Sequence, residues 1–292
     1  MRIFIYFLLL SPSFLVAQGS SESAKPPVFP PDVRLERDVA FLAEGRKERA
    51  DLYFPVKPVA GQLTGAVVHI HGGGFTGGRR DSVRDINICA NLARHGYLAM
   101  SIEYQLATRG KGSWPQNLQD CKTAVRWLRV NAKRLNIDPE RIGVIGGSAG
   151  ATLAGLVALT EASDGLDPQE PYAKVSSRVR CGVMLYGISD IAKWHDTPML
   201  GKSISEAPEL YKKASPVTYA RADSPPMLLL HGTADDIVDY RQSEFLADAL
   251  KKAGATHELV IIPKAVHSFH LQPSQRDLRP LVLGFFDKYL AR

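Results

Sequence analysis

Cysteine is scarce in this sequence, with only three residues in 292. An odd number of cysteines cannot all pair, so we do not expect a disulfide framework to stabilise the fold. Cys89, Cys121 and Cys181 each occupy an apolar position of a predicted helix or strand, and we expect them to be small buried hydrophobic residues. One disulfide bond, between Cys89 and Cys121, remains an alternative if the compartment is oxidising.

Blocks of positive charge interleaved with aromatic residues are also absent. The formal net charge is only +6, and the charged residues are scattered along the chain. Nucleic-acid-binding proteins concentrate their positive charge in a patch or stripe. The composition therefore predicts no nucleic-acid partner, and we interpret the mild basicity as a contribution to solubility.

The N-terminus contains no apolar run of the ~20 residues that a membrane-spanning helix needs. It has Arg2, a short apolar stretch over residues 3–10, and small residues at Ala17 and Gly19, a pattern typical of a signal peptide. No cysteine follows the apolar stretch, so a lipoprotein signal is not indicated. We expect cleavage after Gly19 or Ala17, export to the periplasm or the medium, and no stable membrane insertion.

Three segments are therefore predicted: a signal peptide over residues 1–19, a Ser/Pro-rich extended linker over 20–36, and one domain over 37–292. Within the domain, short β-branched runs alternate with helical periodicity, which predicts an α/β fold with a mostly parallel central sheet flanked by helices. The candidate strands are DLYFP, GAVVHIHG, YLAMSIEY, RIGVIGG, CGVMLYG, MLLLHG and HELVIIP. Apolar spacing predicts one helix from Leu118 to Leu135, and further helices are predicted after Asp85, Ser148, Asp239 and Asp277.

The stretch GVIGGSAG places a serine between a predicted strand and a predicted helix. It lacks the G-x-G-x-x-G and G-K-[ST] patterns of nucleotide-binding loops. Gly146 and Gly150 instead frame Ser148 as G-x-S-x-G, in which the missing side chains allow a sharp turn that exposes the hydroxyl. Ser148 is therefore the candidate nucleophile, and the helix that starts at Ala149 would direct free N–H groups toward a developing negative charge.

A second glycine-rich stretch, HIHGGGFTGG, follows another predicted strand. The backbone N–H groups of Gly72 and Gly73 can face a cavity without side-chain obstruction, and with the Ala149 N–H they form a candidate oxyanion hole. A plain glycine turn is the alternative. We assign His71 a structural role in bracing this loop.

The stretches LLLHGTADDIV and IIPKAVHSFH supply a candidate acid and base, Asp235 and His267, each after a predicted strand. Asp235 alternatively caps a helix, and His267 is alternatively an ordinary loop histidine. Other side chains that could replace them are Asp190, Asp236 and His270. The order Ser, Asp, His along the chain is typical of enzymes with this kind of serine turn.

The sequence resembles the α/β-hydrolase family, in particular the short bacterial esterases similar to acetyl, acetylxylan and feruloyl esterases and to hormone-sensitive-lipase-like enzymes. The resemblance runs from about Arg37 to the C-terminus and rests on HGGGF, SIEYQLA, WPQNLQDCKTAVRWLRVNA, GGSAGATLA, SPPMLLLHGTADDIV and HSF. It implies Ser148 as nucleophile, Asp235 as acid and His267 as base. Glu103 and Gln105 depart from the family pattern, which has Asp and Arg at these positions.

The expected function is that of an exported serine carboxylic-ester hydrolase that uses no metal and no cofactor. Residues 188–226 show no long apolar lid, which favours short acyl groups. The substrate is expected to be a small-molecule or oligosaccharide ester, with acetylated and feruloylated carbohydrates as candidates. Trp194, His195 and Met199 are hypothetical residues of the substrate mouth. The alternatives are an arylformamidase-like amidase of the same fold and an inactive binding protein on this scaffold. The sequence predicts no oligomeric state.

Overall fold

The computed structural model describes residues 26–58 and 60–290. The expected signal peptide, residues 1–19, and the first part of the expected linker lie outside the described residues. The strands are β1 (Leu35–Val39), β2 (Ala50–Tyr53), β3 (Thr64–Ile70), β4 (Leu98–Ile102), β5 (Ile137–Gly147), β6 (Cys181–Leu185), β7 (Met227–Gly232) and β8 (His257–Ile262). The helices are α1 (Val83–Arg94), α2 (Gln116–Val130), α3 (Ala132–Leu135), α4 (Ala149–Leu159), α5 (Pro208–Lys213), α6 (Arg241–Ala253) and α7 (Arg279–Leu290).

The eight strands form one sheet in the order β1-β2-β4-β3-β5-β6-β7-β8. Strands β3 to β8 run parallel, and β2 is antiparallel to both β1 and β4. The prediction of a mostly parallel sheet is confirmed. Parallel strands leave their carboxyl ends along one edge of the sheet, so the loops after β3, β5, β7 and β8 can meet there.

Helices cover both faces of the sheet. Within β3, Val68 packs in the apolar cluster that contains residues of α2, α4 and α6, whereas Val67 packs in the cluster that contains residues of α1 and α7. Burial on both faces explains why these strands are nearly continuous apolar runs in the sequence. No helix within residues 26–58 and 60–290 is long and apolar enough to cross a membrane.

Two sequence expectations differ from the structure, and one is confirmed. The part of the expected linker that is described, residues 26–36, packs on the domain, because Val33 is buried and the Phe29 ring lies 6.5 Å from that of Tyr53. The helix predicted up to Leu135 ends at Val130, since Asn131 folds its side-chain amide back onto the Trp127 carbonyl oxygen at 2.9 Å. The expectation that Cys89, Cys121 and Cys181 are buried is confirmed, and all three are free, so no disulfide joins Cys89 to Cys121.

Candidate active site

Ser148 lies in the turn between β5 and α4 with φ 56° and ψ −125°, a region that residues other than glycine rarely adopt. A Cβ on Gly146 would lie 2.2 Å from the Gly150 carbonyl oxygen, and a Cβ on Gly150 would lie 2.2 Å from the Ile70 carbonyl oxygen. Only glycine fits at these two positions. The strained turn therefore depends on both glycines, and it leaves the serine at the carboxyl edge of the sheet.

The structure brings together the three residues that the sequence singled out. His267 Nε2 lies 2.9 Å from Ser148 Oγ, and His267 Nδ1 lies 2.7 Å from Asp235 Oδ2. They come from the loops after β5, β7 and β8, which the parallel sheet places at one edge. Because a carboxylate only accepts hydrogen bonds, the proton of neutral His267 is on Nδ1, and its Nε2 is free to accept the serine proton.

The Asp235 carboxylate has no exposed side-chain surface and is hydrogen-bonded on both oxygens. Its Oδ1 accepts from the backbone N–H groups of Ile237 at 3.0 Å and Val238 at 2.8 Å. Its Oδ2 accepts from His267 and also from His231 Nε2, at 3.1 Å. Burial by itself would raise the pKa of the Asp235 carboxyl, but the hydrogen bonds from the two imidazoles and a backbone N–H hold it well below its usual range.

His231 is a part of this site that sequence reasoning missed. Its ring is completely buried, and Nε2 faces two acceptors, the Asp235 carboxylate and the Val238 carbonyl oxygen at 2.9 Å. Nε2 must therefore carry a proton, and Nδ1 accepts one from the Ser243 hydroxyl at 2.7 Å. The only signal in the sequence is a histidine four residues before the aspartate in HGTAD.

Tyr186, which directly follows β6, contacts the ring of His267 and supports it. Its ring lies 4.8 Å from that of His267 in an edge arrangement, and its hydroxyl donates to the Phe269 carbonyl oxygen at 2.8 Å. These contacts fix the loop that carries His267 against the sheet. Sequence reasoning assigned Tyr186 only to a strand.

The glycine loop after β3 folds against the serine turn. A Cβ on Gly72 would lie 3.1 Å from Ser148 Cβ, and Gly73 has φ +130°, which favours glycine. Among the hydrogen bonds of the described residues, none uses the N–H of Gly72, Gly73 or Ala149. Three unpaired donors thus lie on the two turns that meet at Ser148, an arrangement that can stabilise an oxyanion.

His71 braces this loop and does not face the nucleophile. Its ring stacks on that of Tyr104 at 4.5 Å, and its Nδ1 lies 2.7 Å from the Gly72 carbonyl oxygen. Burial lowers the pKa of His71 to about 4, so the ring is neutral at neutral pH and Nδ1 donates this hydrogen bond. The geometry agrees with the structural role expected for His71.

The two departures from the family pattern lie in a network of ion pairs behind the loop. Glu103 accepts hydrogen bonds from Arg80 Nη1 at 2.6 Å and from the Arg49 N–H at 3.0 Å. Gln105 contributes its backbone N–H, which donates to Asp120 at 2.8 Å. The segment after β4 is therefore supported by a carboxylate and a main-chain contact.

The alternative acids and base lie elsewhere. Asp190 pairs with Lys193 at 3.0 Å, and Asp236 is exposed. His270 Nδ1 accepts from the Gln272 N–H at 2.9 Å. Among the hydrogen bonds of residues 26–58 and 60–290, none joins Asp190 or Asp236 to His267. In the structure, the carboxylate that hydrogen-bonds His267 Nδ1 is that of Asp235.

The expectation that Met199 lines a substrate mouth is wrong, because its side chain is completely buried in the apolar core. Trp194 is partly buried against the same core, and His195 is exposed, with the two ring centroids 3.4 Å apart. A cleft of about 770 Å³ opens between residues 107–111, after β4, and residues 196–206, after β6, and Thr76 of the glycine loop also lines it. Polar or charged residues in its lining include Arg109, Lys111, Asp196 and Glu206.

No group of three or more histidine, cysteine or acidic side chains that could hold a metal ion occurs in the part of the chain that the structure describes. The chemistry available to these residues is nucleophilic attack by an activated serine, with proton transfer through His267.

Comparison with known proteins gives a consistent placement. The BD-FAE family model matches residues 50–250. The esterase LipQ of Mycobacterium tuberculosis is 29% identical over 251 residues, which cover 82% of this chain and 58% of that protein. The ethyl acetate hydrolase of Pseudomonas putida is 29% identical over 229 residues, 75% of this chain and 70% of that protein. The chain thus spans less than two thirds of the length of LipQ.

Two solved structures share the architecture. A truncated carbohydrate esterase from gut microbiota superposes with a TM-score of 0.81 at 24% identity, covering 89% of this chain and 97% of that one. Thermogutta terrifontis esterase 2 phosphorylated by paraoxon superposes with a TM-score of 0.71 at 26% identity, covering 89% and 94%. With the family model matching more than half of its length, the chain belongs to the BD-FAE family and has the α/β-hydrolase fold.

Proposed function

We propose that this protein is a serine carboxylic-ester hydrolase that works through an acyl-enzyme. The observation that carries the proposal is the continuous hydrogen-bonded chain from Ser148 through His267 to Asp235 at a strained strand-to-helix turn. Similarity to proteins named as esterases, and to an esterase phosphorylated by the serine-reactive agent paraoxon, supports the same reaction class.

The mechanism follows from the geometry. Ser148 Oγ attacks the ester carbonyl carbon while His267 Nε2 takes the serine proton, and the buried Asp235 carboxylate stabilises the imidazolium. The carbonyl oxygen becomes an oxyanion held by free N–H groups among those of Gly72, Gly73 and Ala149. The tetrahedral intermediate collapses, the C–O bond to the alcohol breaks, and the imidazolium protonates the departing oxygen. Water, deprotonated by His267, then cleaves the acyl-serine ester and regenerates the hydroxyl.

The proposed substrates are short-chain esters, with acetylated or feruloylated carbohydrates as natural candidates. The cleft beside the glycine loop supports this, because the polar and charged side chains in its lining can hydrogen-bond a hydroxyl-rich substrate. The names of similar proteins, an ethyl acetate hydrolase and a carbohydrate esterase, agree with it.

The experiment is a series of 4-nitrophenyl esters from acetyl to palmitoyl, run beside acetylated xylan, a feruloylated sugar and N-formylkynurenine. We expect the highest kcat/KM with acetyl to butyryl esters. Ser148→Ala is the matched control, and a fluorophosphonate probe should label the peptide that contains Ser148. Preference for palmitoyl would contradict the short-chain proposal, preference for the formamide would favour the amidase, and failure of the probe to react would favour an inactive binding protein.

Export is proposed from the N-terminal pattern alone. We expect the mature protein, recovered from its own host, to lack at least residues 1–17. Intact mass spectrometry tests this, and an intact Met1 in a membrane fraction would contradict it.

A further inference from the structure

A cationic side chain lies beside the nucleophile and takes no part in the mechanism above. Arg84 is the second residue of α1, and its side chain is 22% exposed. A Cβ built on Gly72 would lie 3.4 Å from Arg84 Nη2 and 3.1 Å from Ser148 Cβ. The guanidinium and the serine are therefore neighbours across a single glycine of the candidate oxyanion loop.

Arg84 is held only loosely by its surroundings. Its ion-pair partner Asp85 is distant, with 3.9 Å between Arg84 Nε and Asp85 Oδ1, and the other oxygen of Asp85 accepts from the Ser82 hydroxyl. The guanidinium also lies near the Tyr186 hydroxyl, since a Cβ on Gly72 would lie 2.8 Å from the Gly147 carbonyl oxygen and a Cβ on Gly147 would lie 2.7 Å from Tyr186 Oη. Within residues 26–58 and 60–290, no carboxylate lies within 3.5 Å of its N–H groups.

Other partly buried arginines of this protein are bound much more tightly. Arg80 pairs with three carboxylates, those of Asp38, Asp51 and Glu103. Arg46 forms a two-pronged pair with Asp120, at 2.8 and 2.6 Å. A guanidinium carries five N–H donors in a planar fork that matches a carboxylate. Arg84 thus retains the donors that its counterparts use for internal carboxylates.

The position of Arg84 also indicates which part of an ester it would meet. Tyr186, whose hydroxyl lies against Gly147 next to Ser148, is in ring contact with His267. Arg84 therefore lies on the His267 flank of Ser148. In the proposed mechanism His267 donates its proton to the departing alcohol, so the alcohol part of the ester occupies this flank.

We propose that Arg84 binds a carboxylate on the alcohol part of the substrate, which makes an acidic alcohol, such as a uronate-bearing sugar, the preferred leaving group. This inference rests on the proposed ester hydrolysis and narrows its substrate class. A two-pronged pair between the guanidinium and the carboxylate fixes the orientation of the alcohol and adds attraction in a partly desolvated place.

The test compares acetate esters with and without a negative charge on the alcohol: 3- and 4-acetoxybenzoate against their methyl esters. We expect the wild-type protein to favour the anionic member in kcat/KM by about tenfold, the size of one hydrogen bond to a charged group. Arg84→Gln should remove this preference and Arg84→Lys should keep part of it. Arg94→Gln, on the same helix and paired with Asp32, is the control and should keep all of it.

Equal kcat/KM for the charged and neutral esters in the wild type would overturn the inference. So would an equal loss on both members of each pair in Arg84→Gln, because that would indicate a role in the reaction common to all esters. Calorimetric binding of 4-hydroxybenzoate and methyl 4-hydroxybenzoate to the same variants decides the matter without turnover. Absence of hydrolysis of every ester would count against the proposed function, while preferential binding of 4-hydroxybenzoate through Arg84 would still support the anion site.

Discussion

Asp235 differs from the aspartates near it by its hydrogen bonds. Both of its oxygens are occupied, one by two backbone N–H groups and the other by two imidazoles. Its neighbour Asp236 is exposed, and Asp190 pairs with a surface lysine. The side chain opposite His267 is therefore fixed before any substrate arrives, as an orienting acid requires.

The first prediction concerns this assignment. Asp235→Asn should lower kcat by about 10⁴, because the amide cannot replace the carboxylate that orients and stabilises the imidazolium. Asp236→Asn and Asp190→Asn should stay within about tenfold of the wild type, a barrier change of ~1.4 kcal/mol. Steady-state kinetics on folded variants measures this. A near-normal kcat in Asp235→Asn together with a collapse in Asp190→Asn would move the acid to the loop after β6.

The second prediction concerns His231. His231→Phe removes one donor from Asp235 Oδ2 and leaves the negative charge more concentrated toward His267, so the imidazolium becomes more stable. The acid limb of the kcat/KM profile should therefore move to higher pH. We also expect kcat to fall about tenfold, because the carboxylate loses one of the donors that hold it in place. His231→Gln, which keeps an N–H donor, should restore part of both. A profile that keeps its wild-type position in His231→Phe would show that His231 only fills space.

The third prediction concerns stability in acid. The pKa of Asp235 is lower in the folded protein than the ~3.9 of an unfolded chain. A group of this kind contributes stability that is fully present above the unfolded pKa and is lost as pH falls through the folded pKa. The difference in melting temperature between the wild type and Asp235→Asn should therefore shrink as pH falls below about 4. Asp236→Asn, at an exposed position, is the control, and a difference that stays constant with pH would contradict the prediction.

At the scale of elements, the sequence identified β3, β4, β6 and β7 well because each is almost entirely buried and reads as an apolar run. It missed β1, whose residues LERDV are only partly buried at the sheet edge and carry three charges. The sequence also predicted one helix where the structure has α2 and α3. The apolar spacing continues past Asn131, although the helical conformation of the backbone is interrupted there. Edge strands and helix breaks depend on contacts that a local pattern does not contain.

The fourth prediction concerns the elements around the serine turn. Gly150→Ala would place a Cβ 2.2 Å from the Ile70 carbonyl oxygen, so α4 must move away from β3. We expect a large loss of both activity and melting temperature, since overpacking of a rigid contact is costly. Gly284→Ala, in α7 and with no atom within 4 Å of its new Cβ, should be neutral or stabilising by up to ~1 kcal/mol. Equal behaviour of the two variants would contradict the geometry of the serine turn.

At the scale of the whole molecule, the sequence predicted the site residues that lie in motifs after strand ends. It missed the residues that reach the site only through contacts between distant parts of the chain. Ser148, Asp235 and His267 could be named because each comes directly after a predicted strand. Tyr186 and Arg84 become visible only when β6 and α1 are folded against the serine turn. Met199 was misplaced because an irregular segment carries no periodicity that separates buried from exposed side chains.

The strand order predicts which part of the site opens first on heating. Strand β8 lies at the edge of the sheet, pairs only with β7, and leads directly into the loop that carries His267, whereas β5 lies inside the sheet and leads to Ser148. Edge elements open locally at lower free energy than central ones. Backbone amides of residues 257–262 should therefore exchange with deuterium faster than those of 142–147. The base would be released by this local opening while the nucleophile stays in place, so brief heating should abolish turnover before it abolishes the folded circular-dichroism signal.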